Sequence, residues 1–302
     1  MGRVTADGSL QQVSLTLPAG DTVRIALHGA QVLSWQTADG LERLYLSPRA
    51  LLDGRSPIRG GVPICFPQFN QRVLGASALP KHGFARSLPW QLDSESVVGE
   101  SATAVLSLST DAHTQAVWPQ AFSVQLQVRL APGQLRITAS VHNTGSSAWP
   151  FALALHTYLR VASIARTTLQ GLQACRYWDA VTHLDDTGVI QAQPQPDLAI
   201  NGETDRVYAA AGPLRLVQAS VGGGAASPLL IEQSHSFSET VVWNPGAAVC
   251  ARLADMPADG FEHMLCVEAA RIDRPVMLEP GASWSGWQQL TAMGPGAGPS
   301  LV

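Results

Sequence analysis

The chain has 302 residues, 46% of them hydrophobic, with 14% charged and a formal net charge of -4. The mild acidic balance argues against nucleic acid and anionic membranes, both of which need a basic face. No run of about 18 apolar residues is present, so no membrane-spanning helix is expected.

The N-terminal stretch Met1-Gly2-Arg3-Val4-Thr5-Ala6-Asp7 lacks the apolar centre of a signal peptide. Cys65, Cys175, Cys250 and Cys266 are scattered, without Cys-x-x-Cys or Cys/His ligand spacing. Four reduced, mostly buried thiols, no structural zinc and a cytoplasmic location are the expectation.

The first elements alternate. Val13/Leu15/Leu17 and Val23/Ile25/Leu27 read as two strands joined through Pro18-Ala19-Gly20-Asp21. An irregular stretch follows, Ser56-Pro57-Ile58-Arg59-Gly60-Gly61-Val62-Pro63-Ile64-Cys65-Phe66-Pro67. Its three prolines and Gly-Gly pair stiffen the backbone from which Arg59 projects. Lys81-His82-Gly83-Phe84-Ala85-Arg86 carries the chain's single lysine; the rest of its 19 Lys+Arg residues are arginine. Arg59, Lys81, His82 and Arg86 on short supports make a cradle for a small anion, or else a surface loop with scattered charge.

Val105 and Leu108 mark another strand, and 110–120 holds room for a short helix ended near Pro119. Phe122–Leu130 alternates without a break and resumes over Leu135–Val141 after Pro132-Gly133-Gln134, a hairpin pattern. Leu153 and Leu155 lie in a strand that closes on His156. Val221–Pro228 reads as a flexible turn. Met264–Glu268 and Trp284–Leu290 are the last strands, and 293–302 is a Gly/Pro-rich tail expected to be disordered. Strands at regular spacing, with no fixed-period repeat and no linker, indicate one large antiparallel β domain over 10–292.

No Gly-rich loop precedes a helix, so a nucleotide fold is disfavoured. The chemistry must come from polar residues in apolar strands. His156 is either a general acid or base, or a core histidine bonded to backbone. Glu268 follows an apolar run and is either a desolvated base or a strand-end carboxylate facing solvent. Asp205 either accepts bonds from sugar hydroxyls or caps a turn. Phe66, Phe69, Phe84, Trp90, Trp243 and Trp287 suit either a sugar's C–H faces or the core. Asp255-Met256-Pro257 and Phe261-Glu262-His263 read as a supporting loop near Glu268.

Taken in order, Arg59–Pro67, Pro80–Arg86, Leu155-His156-Thr157-Tyr158, Thr204–Tyr208, Val242-Trp243-Asn244-Pro245 and Cys266-Val267-Glu268 resemble the glucose-6-phosphate 1-epimerase family within the aldose 1-epimerase superfamily. The resemblance spans roughly residues 10–292. It implies an all-β, galactose-mutarotase-like antiparallel β supersandwich with few short helices. It implies His156 as catalytic acid and Glu268 as base, with no metal and no cofactor. It further implies that Arg59, Lys81, Arg86 and Asp205 bind a phosphorylated sugar, with the arginines near the phosphate and His82 as a secondary contact. A monomer is expected. One departure is visible: Glu268 is followed by Ala269-Ala270 where many relatives carry Pro-Gly.

Three other functions remain open on the residues alone. They are a mutarotase for unphosphorylated aldoses, a non-catalytic carbohydrate-binding sandwich, and a glycoside hydrolase. The last needs a second carboxylate across the scissile bond, for which there is no convincing candidate.

Overall fold

A strand with alternating apolar residues can bury one face only, so it must pack against a second sheet. The computed structural model, which describes residues 3–7, 10–71, 79–183, 187–209, 212–219 and 228–294, meets that demand with sheets of nine, eight and four strands. Every strand pair within them is antiparallel among the described residues. The turn expected at Val221–Pro228 and the tail at 293–302 lie outside the described residues, apart from Pro228, Met293 and Gly294.

The long hairpin forms as its alternation requires. Phe122–Ala131 pairs with Gln134–Asn143 from Ala131↔Gln134 to Phe122↔Asn143. Together with Ser101–Ser109, Gln91–Val98 and Ser283–Ala292 these strands make up much of the nine-stranded sheet. The first alternating pair becomes Leu10–Thr16 and Thr22–Ala26 in the four-stranded sheet. The expected short helix is Ala112–Val117. Asp111 opens it by accepting from the Thr114 amide, while the Thr114 hydroxyl takes the Asp111 N–H. It ends at Trp118, before Pro119.

The eight-stranded sheet positions the chemistry. Its strands run in the order Ile190–Ala192, Arg176–Asp179, Thr204–Tyr208, Glu239–Asn244, Met264–Leu278, Trp149–Leu155, Ile64–Cys65, with Tyr158–Arg160 also paired to Met264–Leu278. Leu153, Leu155, Val267 and Ala269 face inward and pack with Val124, Leu126 and Val128 of the opposing sheet. Each of these leucine and valine side chains contributes roughly 1.5–3 kcal/mol of burial.

Period two then sends Cys266, Glu268 and Ala270 to the other face. Ala270 packs there with Cys65, Ala154, Val241, Val207 and Trp178. Cross-strand register sets Glu268 beside Val241, Val241 beside Val207, and Val207 beside Trp178. The next row holds Cys266, Trp243 and Asp205. A carboxylate therefore stands on the outer face of a central strand, where loops cover it.

Candidate active site

The covering loops are the two irregular motifs. Arg59–Pro67 runs along the His156 strand: the His156 amide donates to Pro63 O at 2.9 Å and the Tyr158 amide to Gly61 O at 2.9 Å. Gly61 has φ 60°, and a Cβ there would collide with the Val32 carbonyl. The Gly-Gly pair is thus what lets this loop lie flat on the sheet. Buried Gln31 donates to Ile58 O at 3.0 Å and to Gly60 O at 2.6 Å, fixing the backbone on both sides of Arg59. Pro80–Arg86 is tied to the first loop through Phe66 O, which accepts from the amides of Phe84 and Ala85.

Glu268 is 1% exposed and His156 8%. His156 Nδ1 lies 3.3 Å from Glu268 Oε1, close but off the axis of a hydrogen bond, and neither that nitrogen nor either carboxylate oxygen has a hydrogen-bond partner. Buried polar atoms without protein partners are costly, and water or a ligand is the usual way they are met. The imidazole is held by stacking on Tyr158 at 4.9 Å and 10°, with the Trp243 edge at 6.0 Å and His82 at 5.6 Å.

Burial raises the Glu268 pKa well above the usual carboxylate range, and the charge of Asp205 adds to it. Burial pulls His156 down to about 3, with Arg86, Arg59 and Lys81 acting the same way. Both directions favour an uncharged pair. Such a pair carries one mobile proton, on Glu268 or, after transfer, on His156. Whichever group holds it is the acid and the other is the base.

The remaining candidates converge on this pair. Arg59 donates from Nε to Asp255 Oδ2 at 3.1 Å and from Nη1 to the Tyr158 hydroxyl at 3.1 Å. Asp255 thereby orients Arg59, whereas His263 bonds to Ala162 O at 3.2 Å. Arg86 donates to Lys81 O at 2.8 Å, and its Nε has no hydrogen-bond partner. Lys81 itself is exposed. His82 has φ 64°, is buried, and accepts the Asn70 N–H on Nδ1 at 3.2 Å. Burial lowers its pKa, as do His156 and Arg86, so it is neutral. Asp205 is half-buried, one row from Glu268. Of the aromatics, Trp243 and Phe69 border His156, whereas Phe66, Phe84 and Trp90 are in the main core. Trp287 lies on the other sheet under Arg136.

Sequence reading missed Gln288. Its Oε1 accepts the Thr157 hydroxyl at 2.5 Å and its Nε2 donates to Val267 O at 3.0 Å. It thereby grips the neighbours of both His156 and Glu268. Gln68 also went unnoticed; its Nε2 donates to Leu79 O and Pro80 O and so anchors the loop before Lys81.

A cavity of about 450 Å³ lined in part by Trp178, Val207, Glu239 and Arg271 lies further along the sheet. Val207 and Trp178 belong to the cross-strand row that contains Glu268.

Solved structures share this architecture. A Salmonella typhimurium protein described as "a putative mutarotase" superposes with a TM-score of 0.86 at 26% identity, over 97% of this chain and 94% of that one. A galactose mutarotase-like protein from Clostridium acetobutylicum gives 0.75 at 16% identity, over 96% and 97% of the two chains. Among curated relatives, proteins from Cenchrus ciliaris and Escherichia coli are each named "Putative glucose-6-phosphate 1-epimerase". The first is 30% identical over 96% of this chain and 87% of its own length, the second 34% over 81% and 78%.

Fold and relatives together define a mutarotase-type enzyme built on a β supersandwich. The chain belongs to the aldose 1-epimerase family, whose model matches residues 11–291.

Proposed function

We propose that the protein interconverts the α and β anomers of hexose 6-phosphates. The observation that carries the reading is the buried His156–Glu268 pair, with its polar atoms unpartnered beneath a group of cationic side chains. Mutarotation removes a proton from the C1 hydroxyl and delivers one to the ring oxygen. The ring opens to an aldehyde, C1–C2 rotates, and the ring closes on the other face. Both oxygens hang from one carbon, so an adjacent acid and base serve both. Once the proton has passed from Glu268 to His156, Glu268 acts as base on the hydroxyl and His156 as acid on the ring oxygen, and the roles reverse on closure. No cofactor is called for.

Arg86 and Lys81 meet the phosphate, and Arg59 joins them from its Asp255 support. Asp205 accepts from sugar hydroxyls, and His82 lines the cleft as a neutral neighbour of His156. The names of the curated relatives support the phosphorylated substrate. Among the described residues no helix is long and apolar enough to cross a membrane. A doubly charged sugar phosphate does not cross a membrane unaided, so the reading places the protein in the cytoplasm, where we propose that it acts as a monomer.

One-dimensional NMR tests this directly. Relaxation of α-glucose 6-phosphate to its anomeric equilibrium should quicken with protein, and that of free glucose or galactose far less. Acceleration of the free sugars alone would move the substrate to unphosphorylated aldoses. Saturable binding with no acceleration would leave a carbohydrate-binding sandwich.

A further inference from the structure

His156, Glu268 and Cys266 each offer one ligand atom, and these atoms lie within 4.8 Å of one another. All three residues are buried, Cys266 at 0% exposure. Cys266 stands one same-face step from Glu268 on the strand Met264–Leu278. The reaction proposed above has no use for it. His156 Nδ1 and both Glu268 oxygens lack hydrogen-bond partners, so no bond need be broken before they turn to a ligand.

A tetrahedral zinc ion takes thiolate sulfur at about 2.3 Å, imidazole nitrogen at about 2.0–2.1 Å and carboxylate oxygen at about 2.0–2.2 Å. Neighbouring ligand atoms around such an ion are about 3.5 Å apart. The nitrogen–oxygen separation here is already 3.3 Å. The sulfur lies within 4.8 Å of both. Mixed S, N and O donors select zinc, cobalt(II) or copper over magnesium and calcium. Arg59, Arg86 and Lys81 repel a cation, although Arg59 is paired with Asp255, whereas Asp205 attracts it, as do Glu268 and Cys266 once they have given up their protons.

We propose that His156, Cys266 and Glu268 form an inhibitory binding site for a thiophilic divalent metal ion such as Zn²⁺. The thiol proton and the Glu268 carboxyl proton both leave to solvent as the sulfur and the carboxylate oxygen bind. The metal takes the lone pairs of the imidazole and the carboxylate, so neither can move a proton. Inhibition rests on the acid–base reading of the pair; binding does not.

Cobalt(II) reports the site by light, because a cobalt–thiolate bond gives a near-ultraviolet charge-transfer band. Wild-type protein titrated with Co²⁺ should develop this band saturably, and Zn²⁺ should abolish it by displacement. Cys266→Ala should lose the band and about 10-fold or more in Zn²⁺ affinity while retaining turnover. Cys250→Ala, a buried thiol outside the trio, should keep both. If Cys266→Ala does not fold, Glu268→Gln serves: its band persists and its affinity falls about 10-fold or more. No band in wild type, or a band and affinity unchanged in Cys266→Ala or in Glu268→Gln, would overturn the site. A wild type that binds metal but shows no anomerase activity would sink the reaction and leave the site standing.

Discussion

Thr157 and Gln288 are 131 positions apart in sequence and share a buried 2.5 Å hydrogen bond. Gln288 reaches on to Val267 O, and the Val267 amide donates to Thr157 O at 3.1 Å. The three residues form a closed loop of bonds under the acid–base pair. Gln288→Leu should leave the Thr157 hydroxyl and the Val267 carbonyl short of partners. We expect a loss of about 1–3 kcal/mol in denaturant titrations. A misplaced pair should also cost up to about 10²-fold in kcat, with KM for sugar phosphate little changed. A variant that is less stable yet turns over normally would make Gln288 a packing residue only.

Removing either member of the pair removes half the proton traffic. His156→Ala and Glu268→Gln should each lower kcat by roughly 10²–10⁴-fold. Circular dichroism should show the strand content unchanged. Near-normal turnover in either variant would defeat the assignment.

Under the proposed reading, Arg86 supplies the substrate preference. Arg86→Ala should raise KM for glucose 6-phosphate about 10- to 100-fold, the worth of a charge-assisted bond of roughly 1.5–3 kcal/mol. KM for free glucose should stay where it is. Equal loss on both sugars would take the phosphate away from Arg86.

The pair also makes stability depend on pH, with opposite signs. The folded pKa of His156 is about 3 against an ordinary 6.5. Its contribution is full above 6.5 and is lost as pH falls through about 3. Wild type should therefore lose stability relative to His156→Asn over that acid window. Glu268 is raised above its ordinary 4.5, so its contribution is present below 4.5 and is lost as pH rises through the higher folded value. Glu268→Gln should gain on wild type as pH rises. Thermal melts of the three proteins from pH 3 to pH 8 check both slopes, and parallel curves would refute the shifts.

Alternation made the strands legible, because a half-buried strand must put like residues two apart. Phe122–Ala131 and Gln134–Asn143 are the clearest cases. The helix was placed correctly but shrank to Ala112–Val117, since Asp111 and Trp118 bound it on either side. For the site, residue chemistry alone left His156, Glu268 and Asp205 open between structural and functional roles. The ordered motifs tipped the balance.

Contacts made across strands were beyond reach. Nothing near position 288 announces a partner at 157, and the spacing of 156, 266 and 268 matches no ligand pattern. Tyr158 follows His156 in the segment Leu155-His156-Thr157-Tyr158, yet its stacking on His156 comes from the chain's turn between Trp149–Leu155 and Tyr158–Arg160. Sheet register creates these meetings, and register is a property of the whole fold.

Lys81 is the sole lysine of the chain, and it is exposed at the edge of the cleft. Amine-selective reagents, chain-terminal amines aside, thus have one side chain to find. A fluorophore or surface linker attached through an activated ester would sit beside the proposed site on every molecule. Stoichiometric, uniformly oriented labelling comes without engineering, and a dye there would report occupancy of the cleft by its own change in emission.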